Sequence, residues 1–265
     1  MTKLMGILNV TKDSFFDGGE YFESDSAVAR GKRIFEEGAD IIDIGGESTR
    51  PGATPISEAE ELERVIPVIK ALCAEVPITI SIDTCKPGVA AAAVAAGARL
   101  INDVRGLRDP AMQEVAASLD VDVCVMHMQG TPQTMQKNPH YPEGIICHLL
   151  NWFEKQVAIL VQRGIKEKRI ILDPGIGFGK TVADNLEIIQ NLPRLKAMGF
   201  PTLIGLSRKS FMSNILGKPA AELFPATIAA NTLLIMSCID IIRVHDVAAH
   251  RDVVNLFSKI KEPLR

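Results

Sequence analysis

Ile41-Ile-Asp-Ile-Gly-Gly-Glu-Ser-Thr-Arg-Pro-Gly52 joins an apolar run to a glycine-broken loop. Between Ile41 and Ile44 only Asp43 is polar, the composition of a strand covered on both faces, as parallel sheets of α/β proteins require. Gly45 and Gly46 end the run, and Glu47, Ser48, Thr49 and Arg50 follow before Pro51. An acid at the end of a buried strand, followed by a loop carrying an arginine, has the form of a site.

The arrangement recurs on both sides of this stretch. Upstream, Leu4 to Leu8 is apolar and ends in Asn9, and Ser24-Asp25-Ser26 is expected to cap a helix reaching about Gly38. Downstream, Ser57-Glu-Ala-Glu60 has the form of a capping box, opening a helix to about Glu75. Ile78 to Ile82 ends in Asp83, and Pro87 starts an alanine-rich helix. Leu100-Ile101 ends in Asn102-Asp103, Asp109-Pro110 opens another helix, and Val121 to Met126 ends in His127. After an insertion from Gln129 to about Glu143, a helix runs through Trp152 to Arg163, and Arg169 to Leu172 ends in Asp173-Pro174. Ala183 to Met198 is helical with an interruption expected at Pro193, and Thr202 to Leu206 ends in Ser207-Arg208-Lys209. A helical region broken around Gly217-Lys-Pro219 leads to Ile239–Ile242, which ends in Arg243-Val-His245 before a last helix.

This is one uninterrupted series of about eight strand–helix alternations, which a doubly wound sheet or a TIM barrel accommodates. The count and the 265-residue length favour a single (β/α)₈ TIM barrel spanning residues 1–265. In a barrel the C-terminal strand ends converge on one mouth, so Asn9, Asp43, Asp83, Asn102, His127, Asp173, Ser207 with Lys209, and Arg243 with His245 would meet there. Any single aspartate after a strand is equally the mark of a helix N-cap, and His127 alone reads as a structural histidine. A polar residue on every strand end is not explained by capping.

Composition narrows the classes. A formal charge of −3 gives no nucleic-acid footprint, and no apolar run approaches the roughly 18 residues a membrane helix needs. Met1 leads directly into a strand-like run without a secretory segment. Five cysteines without a C-x-x-C pair argue against zinc and disulfides and fit a cytoplasmic protein. Pro174-Gly-Ile-Gly-Phe-Gly-Lys-Thr181 resembles a phosphate-binding Walker loop, but Pro174 holds the first glycine position and the dinucleotide spacing is missing. Its glycines instead let the backbone pass close to a ligand beside Asp173. Cys85 has no identifiable base and is not read as a nucleophile.

The pocket so assembled holds Asp83, Asn102 and Asp173 together with Arg50, Lys209, Arg243 and His245. Carboxylates in a low-dielectric pocket require donors, and a flat heterocycle with a ring N–H beside an amino group, guanine-like or pterin-like, supplies two in parallel. The cations suit a phosphate or diphosphate.

Specific strings then carry a resemblance. Gly6-Ile-Leu-Asn-Val-Thr11, Asp13-Ser-Phe15, Asp17-Gly-Gly19, Asp43-Ile-Gly-Gly-Glu-Ser-Thr-Arg-Pro-Gly52, Ser81-Ile-Asp-Thr84, Ile101-Asn-Asp103, Met126-His-Met-Gln-Gly-Thr-Pro132, Asp173-Pro-Gly-Ile-Gly-Phe-Gly-Lys180, Gly205-Leu-Ser-Arg-Lys-Ser210 and Arg243-Val-His-Asp246 resemble, in order, those of the dihydropteroate synthases. These are pterin-binding (β/α)₈ enzymes of folate biosynthesis. The resemblance implies condensation of 6-hydroxymethyl-7,8-dihydropterin diphosphate with 4-aminobenzoate. It implies that Asp83, Asn102, Asp173 and Lys209 hold the pterin, that Arg243 lies over the ring, and that Arg243, His245 and Thr49 serve the diphosphate. Asn9 would bind Mg²⁺. Thr49, Arg50 and Pro51, with Phe178, Lys209 and Ser210, would shape the aminobenzoate pocket. Phe15 would belong to the loop after the first strand, and Thr49-Arg50-Pro51 would act as a flap that completes the aminobenzoate site once diphosphate is bound. A homodimer is implied as well.

Lys12 and Phe16 stand where the family usually has Pro and Ser. The chain starts close to its first strand, so the closed end of the barrel is expected to be covered differently from that of many members. The alternative is a pterin-binding methyltransferase of the methyltetrahydrofolate–corrinoid type, which would have no use for the Ser-Thr-Arg-Pro-Gly or Ser-Arg-Lys-Ser strings. A Schiff-base aldolase using Lys209 and a non-catalytic pterin-binding protein are further readings.

Overall fold

Alternation along the strands sorts apolar side chains into two layers. Met5, Ile41, Leu100, Cys124, Ile171, Leu203 and Ile241 meet one another across seven strands. Their sequence neighbours Leu4, Ile42, Ile101, Val123, Val125, Leu172, Ile204 and Ile242 join a larger cluster with the helices. Side chains on successive strand residues point to opposite faces, so the first set fills the inside of a barrel and the second seals it against helices. Both sets are buried, which is why the strands read as nearly continuous apolar runs.

The computed structural model describes residues 1–11, 20–48 and 53–261, with the backbone alone for 20–23 and 261. The elements are β1 (Lys3–Asn9), α1 (Glu20–Glu36), β2 (Ile41–Gly45), α2 (Glu58–Glu75), β3 (Thr79–Asp83), α3 (Pro87–Ala96), β4 (Leu100–Asp103), α4 (Pro110–Ser118) and β5 (Asp122–Met126). They continue with α5 (Ile145–Gln162), β6 (Ile170–Asp173), α6 (Val182–Gln190), α7 (Leu192–Lys196), β7 (Leu203–Ile204), α8 (Ser210–Leu216), α9 (Phe224–Met236), β8 (Ile241–Val244) and α10 (Val247–Lys261). The strands are parallel, in the order β6-β5-β4-β3-β2-β1-β8-β7. A parallel bridge between Leu172 and Thr202 joins the two outer strands, with Leu172 N–H donating to Pro201 O at 2.9 Å. The expected (β/α)₈ barrel is therefore what the chain forms.

Local chemistry accounts for most boundaries. The Ser57 hydroxyl accepts from Glu60 N–H at 3.1 Å and the Asp109 carboxylate from Ala111 N–H at 2.9 Å, each satisfying a donor that the first helical turn leaves open. Thr181 and Asp184 form a reciprocal capping box at α6. Two expectations are corrected. Helix α1 begins at Glu20, so Ser24-Asp25-Ser26 lie inside it, since a cap preference of about 1 kcal/mol yields where upstream residues extend the helix. The break between α6 and α7 falls at Asn191, because Pro193 takes a first-turn position of α7, where no N–H is needed. Among the described residues no helix is long and apolar enough to cross a membrane.

Candidate active site at the barrel mouth

Above the apolar inner layer the inward positions turn polar. Strand register sets Ile7 beside Asp43 and Asp43 beside Ser81; one step higher Asn9 pairs with Gly45, Gly45 with Asp83, and Asp83 with Asn102. Asp43 is fully buried and accepts from Ser81 Oγ at 2.6 Å, Asn102 Nδ2 at 3.0 Å and Arg243 Nε at 2.6 Å. The same guanidinium reaches Asp83 Oδ2 with Nη2 at 2.9 Å. Arg243 thus bridges two carboxylates on β2 and β3, and those acids hold it firmly charged.

The cleft above this floor measures about 540 Å³ and is lined by Asp83, Asn102, Asp173, Phe178, Lys209, Arg243 and His245, with Ile7, Val104, Met126 and Ile176 supplying apolar surface. Its mixture of apolar walls and convergent polar groups is typical of a small-molecule site. Burial raises the Asp83 carboxyl to about 7 despite Arg243, and Oδ1 of Asp83 is buried without a partner. Burial likewise raises Asp173 to about 6, against a 2.7 Å hydrogen bond from Gly175 N–H to Oδ1 and the nearby Lys209. Both acids are short of donors, so a ligand with N–H groups finds acceptors ready. Lys209, the N-cap residue of α8, donates to Ile176 O at 2.8 Å and lies 4.1 Å from the centre of the Phe178 ring; burial lowers its ammonium to about 8. His245 Nδ1 meets Ser207 Oγ at 2.9 Å.

Of the residues expected at this site, Asp83, Asn102, Asp173, Phe178, Lys209, Arg243 and His245 are brought together. Two mouth residues are relocated. Asp43 is not a mouth residue but the floor beneath it, because β2 continues to Gly45 and the side-chain alternation sinks Asp43 one layer. His127 lies behind the wall, where its Nδ1 faces Lys180 Nζ at 3.0 Å and its Nε2 faces His148 Nε2 at 3.1 Å. Ser210 opens α8 and borders a neighbouring recess with Gly177 and Lys180. Asn9, half-buried at the end of β1, is level with Gly45 and does not line the cleft. Phe15, Thr49, Arg50 and Pro51, together with Lys12 and Phe16, lie outside the described residues.

Asp83 also borders a second cleft, of about 670 Å³, containing Cys85 and Lys86. Lys86 is paired there with Glu47 and Glu61. Burial pushes the Cys85 thiol up to about 11, so it is not a thiolate near neutrality. The network of Lys180, His127 and His148 is what sequence reading missed. Its signal was the lysine that closes the glycine-alternating string.

A family model described as pterin binding enzyme matches residues 5–245. The chain belongs to the pterin-binding enzyme family. The dihydropteroate synthase of Haemophilus influenzae is 44% identical over 256 residues, 97% of this chain and 93% of that one. The dihydropteroate synthase of Xanthomonas albilineans, solved with 4-aminobenzoic acid, superposes with a TM-score of 0.93 at 43% identity, covering 99% of this chain and 94% of that one. The same organism's enzyme solved with 7,8-dihydropteroate gives 0.90 at 40% identity, covering 99% and 95%.

Proposed function

We propose that the chain is a dihydropteroate synthase, joining 6-hydroxymethyl-7,8-dihydropterin diphosphate to 4-aminobenzoate with release of diphosphate. The observation that carries the reading is a single cleft presenting Asp83, Asn102, Asp173 and Lys209, in a chain 44% identical over 97% of its length to a synthase of that name. The corrinoid methyltransferase reading has no such support, since the relatives named above are synthases.

The pterin ring sits edge-on to the acids. Its N–H and amino donors go to Asp83, Asn102 and Asp173, and Lys209 donates to its carbonyl. These donors satisfy carboxylates that burial leaves under-paired, drawing their proton affinity back down. The bond from the exocyclic carbon to oxygen breaks, and the electron pair leaves with diphosphate. The resulting positive charge spreads into the electron-rich dihydropterin, and Asp83 and Asp173 stabilise it more strongly than the neutral ground state. The arylamine nitrogen then attacks the carbon and loses its extra proton. No strong base is required.

Arg243 would lie against the ring face, and its guanidinium with His245 would hold the anion. Thr49, Arg50, Pro51 and Phe15 are assigned to the diphosphate and aminobenzoate sides by resemblance alone, with Phe178, Lys209 and Ser210 completing the aminobenzoate pocket. Arg50→Ala is expected to leave pterin binding within about threefold while lowering kcat by about a hundredfold, the loss typical of one misplaced charged clamp. Titration calorimetry beside steady-state assays checks this, and equal losses of both would place Arg50 in the rigid pterin pocket.

Mg²⁺ is the metal this chemistry calls for. Among the described residues no three His, Cys, Asp or Glu side chains converge on a metal site. Mg²⁺ needs no such cage when substrate phosphates and water fill most of its six positions, and the amide oxygen of Asn9, at the end of β1, would supply one of the rest. Bound there, Mg²⁺ supplies charge neutralisation for the departing diphosphate.

We also infer a homodimer. Helix α9, Phe-Pro-Ala-Thr-Ile-Ala-Ala-Asn-Thr-Leu-Leu-Ile-Met, has no charged residue and exposes Phe224, Leu233 and Met236, and α8 exposes Ile215 and Leu216. A second copy of the chain is the natural cover, and sedimentation with and without Leu233→Glu tests it. The five free cysteines fit a cytoplasmic location. One coupled assay of purified protein with pterin diphosphate, aminobenzoate and Mg²⁺, scored for dihydropteroate, tests the function; C–O cleavage that required aminobenzoate would rule out the dissociative order.

A further inference from the structure

The loop after β6 has no regular ladder, yet nearly every carbonyl in it is used. Gly175 O accepts from Phe178 N–H at 3.0 Å, Ile176 O from Lys209 Nζ at 2.8 Å, and Gly177 O from Gln136 Nε2 at 2.6 Å. Phe178 O accepts from Lys180 Nζ at 3.0 Å and Gly179 O from Tyr141 Oη at 2.6 Å. Gly175, Gly177 and Gly179 all have left-handed backbone, with φ of 65°, 81° and 64°. A side chain at Gly175 or Gly179 would also run into the backbone of His127 or Gln129. Four of these five carbonyls are held by side-chain donors, which thus fix much of the course of this loop around Phe178.

Among those donors Lys180 is the most deeply buried, 3% exposed against 8% for Tyr141. Its nitrogen meets three acceptors: Phe178 O at 3.0 Å, His127 Nδ1 at 3.0 Å and His127 O at 3.2 Å. One terminal amino group thus ties the end of β5 to the loop carrying Phe178. It does not line the cleft of Asp83 and Asp173. As an ammonium it donates to all three acceptors. As an amine it donates to the two carbonyls and accepts from a His127 Nδ1–H, so loss of the proton switches the imidazole tautomer and keeps the clamp closed. His127 itself stays neutral, because burial and the neighbouring Lys180 push its pKa far down.

We propose that Lys180, through His127, is a positioning residue for the synthase reaction: it holds the Phe178 side of the cleft in the geometry that the arylamine needs. The inference rests on the synthase reading of the cleft. Without Lys180, the Phe178 and His127 carbonyls and His127 Nδ1 lose this partner, and the tie between Phe178 and the end of β5 is removed. Phe178 in turn packs on Met126, Met128 and Met135 and lies under Lys209. Asp173 belongs to β6 and is anchored by the strand ladder, so the pterin acids shift less than the aromatic side.

The test is steady-state kinetics and thermal melting of wild type, Lys180→Met and His127→Asn. Asn can offer either an acceptor or a donor where Nδ1 lies. Lys180→Met is expected to raise the aminobenzoate KM about tenfold or more, with the pterin diphosphate dissociation constant within about threefold. His127→Asn should keep the aminobenzoate KM near wild type, whereas His127→Leu should raise it as Lys180→Met does. This pair carries the test by itself should Lys180→Met fail to fold. A lower melting temperature with unchanged KM values would make Lys180 merely structural and overturn the proposal. Equal weakening of both substrates would overturn it too. An inactive wild-type protein would instead overturn the synthase reading on which the proposal stands.

Discussion

The two walls of the cleft neutralise their charges in different ways. On the β2–β3–β8 side a guanidinium is paired directly with acids: Arg243 spans Asp43 and Asp83, and Ser81 and Asn102 complete the hydrogen bonding of Asp43. On the β6–β7 side the cations avoid the acid. Lys209 donates to a carbonyl and covers an aromatic ring, Lys180 donates into the back of the loop, and the Asp173 carboxylate accepts from the Gly175 N–H. The first wall is an ion-paired support; the second holds its carboxylate and its lysines apart, ready for a ligand. Burial drives both lysines down, Lys180 to about 7 and Lys209 to about 8, the cost of holding cations in that wall without direct carboxylate partners.

The difference predicts which substitutions damage activity and which damage the fold. The largest effect is expected from Asp173→Asn, which keeps the shape but removes the charge facing the pterin. Turnover should fall by about a thousandfold with the melting temperature unchanged or higher, read by product formation and calorimetry. Next is Arg243→Met, which strands two buried carboxylates and should cost about 3 kcal/mol or more of stability in denaturant unfolding. Lys209→Met on the opposite wall should cost less than about 1 kcal/mol, because its partners are one carbonyl and a ring face, while still abolishing most turnover. If both substitutions destabilise equally, the contrast between the walls is wrong.

Asp83→Asn sharpens the comparison through pH. Asp83 has its folded pKa raised to about 7, so the folded state holds a proton that the unfolded chain releases near 4. Stability from this group is fully present below the unfolded value and is lost as pH rises toward 7. The amide does not titrate, so Asp83→Asn should raise the melting temperature more at pH 8 than at pH 5, by a few degrees. A smaller effect belongs to the loop. Lys180 faces Asp173, Lys209, Asp184 and His148 as well as His127, and sits near 7. As pH rises through that value His127 should pass from the Nε2–H to the Nδ1–H tautomer, visible in imidazole ¹⁵N shifts without the ring becoming charged.

Much of this was legible in the chain and some was not, for physical reasons. Ile41-Ile-Asp-Ile-Gly-Gly and its counterparts declared buried parallel strands because both faces are covered, and Asp83, Asn102, Asp173 and Arg243 declared the mouth because strand ends are where a barrel places function. Asp43 misled because a strand's last polar residue and its last residue differ by two, and two residues are one full layer of the barrel. His127 could not be placed because the wall behind the glycine loop is assembled from β5, α5 and the loop itself, a contact between distant segments that no local pattern carries. Lys180 was visible within a string read for its glycines. Its role appears only when the loop's carbonyls are accounted for one by one.

The central claim is that one cleft, walled by Asp83 on one side and Asp173 with Lys209 on the other, makes dihydropteroate. The most direct measurement is product and diphosphate release by purified wild type, Asp173→Asn and Lys209→Met, given pterin diphosphate, aminobenzoate and Mg²⁺. The account predicts one diphosphate per dihydropteroate from wild type and a loss of about a hundredfold or more in both folded variants. A folded wild-type protein that releases no product, or variants that keep full turnover, would contradict it.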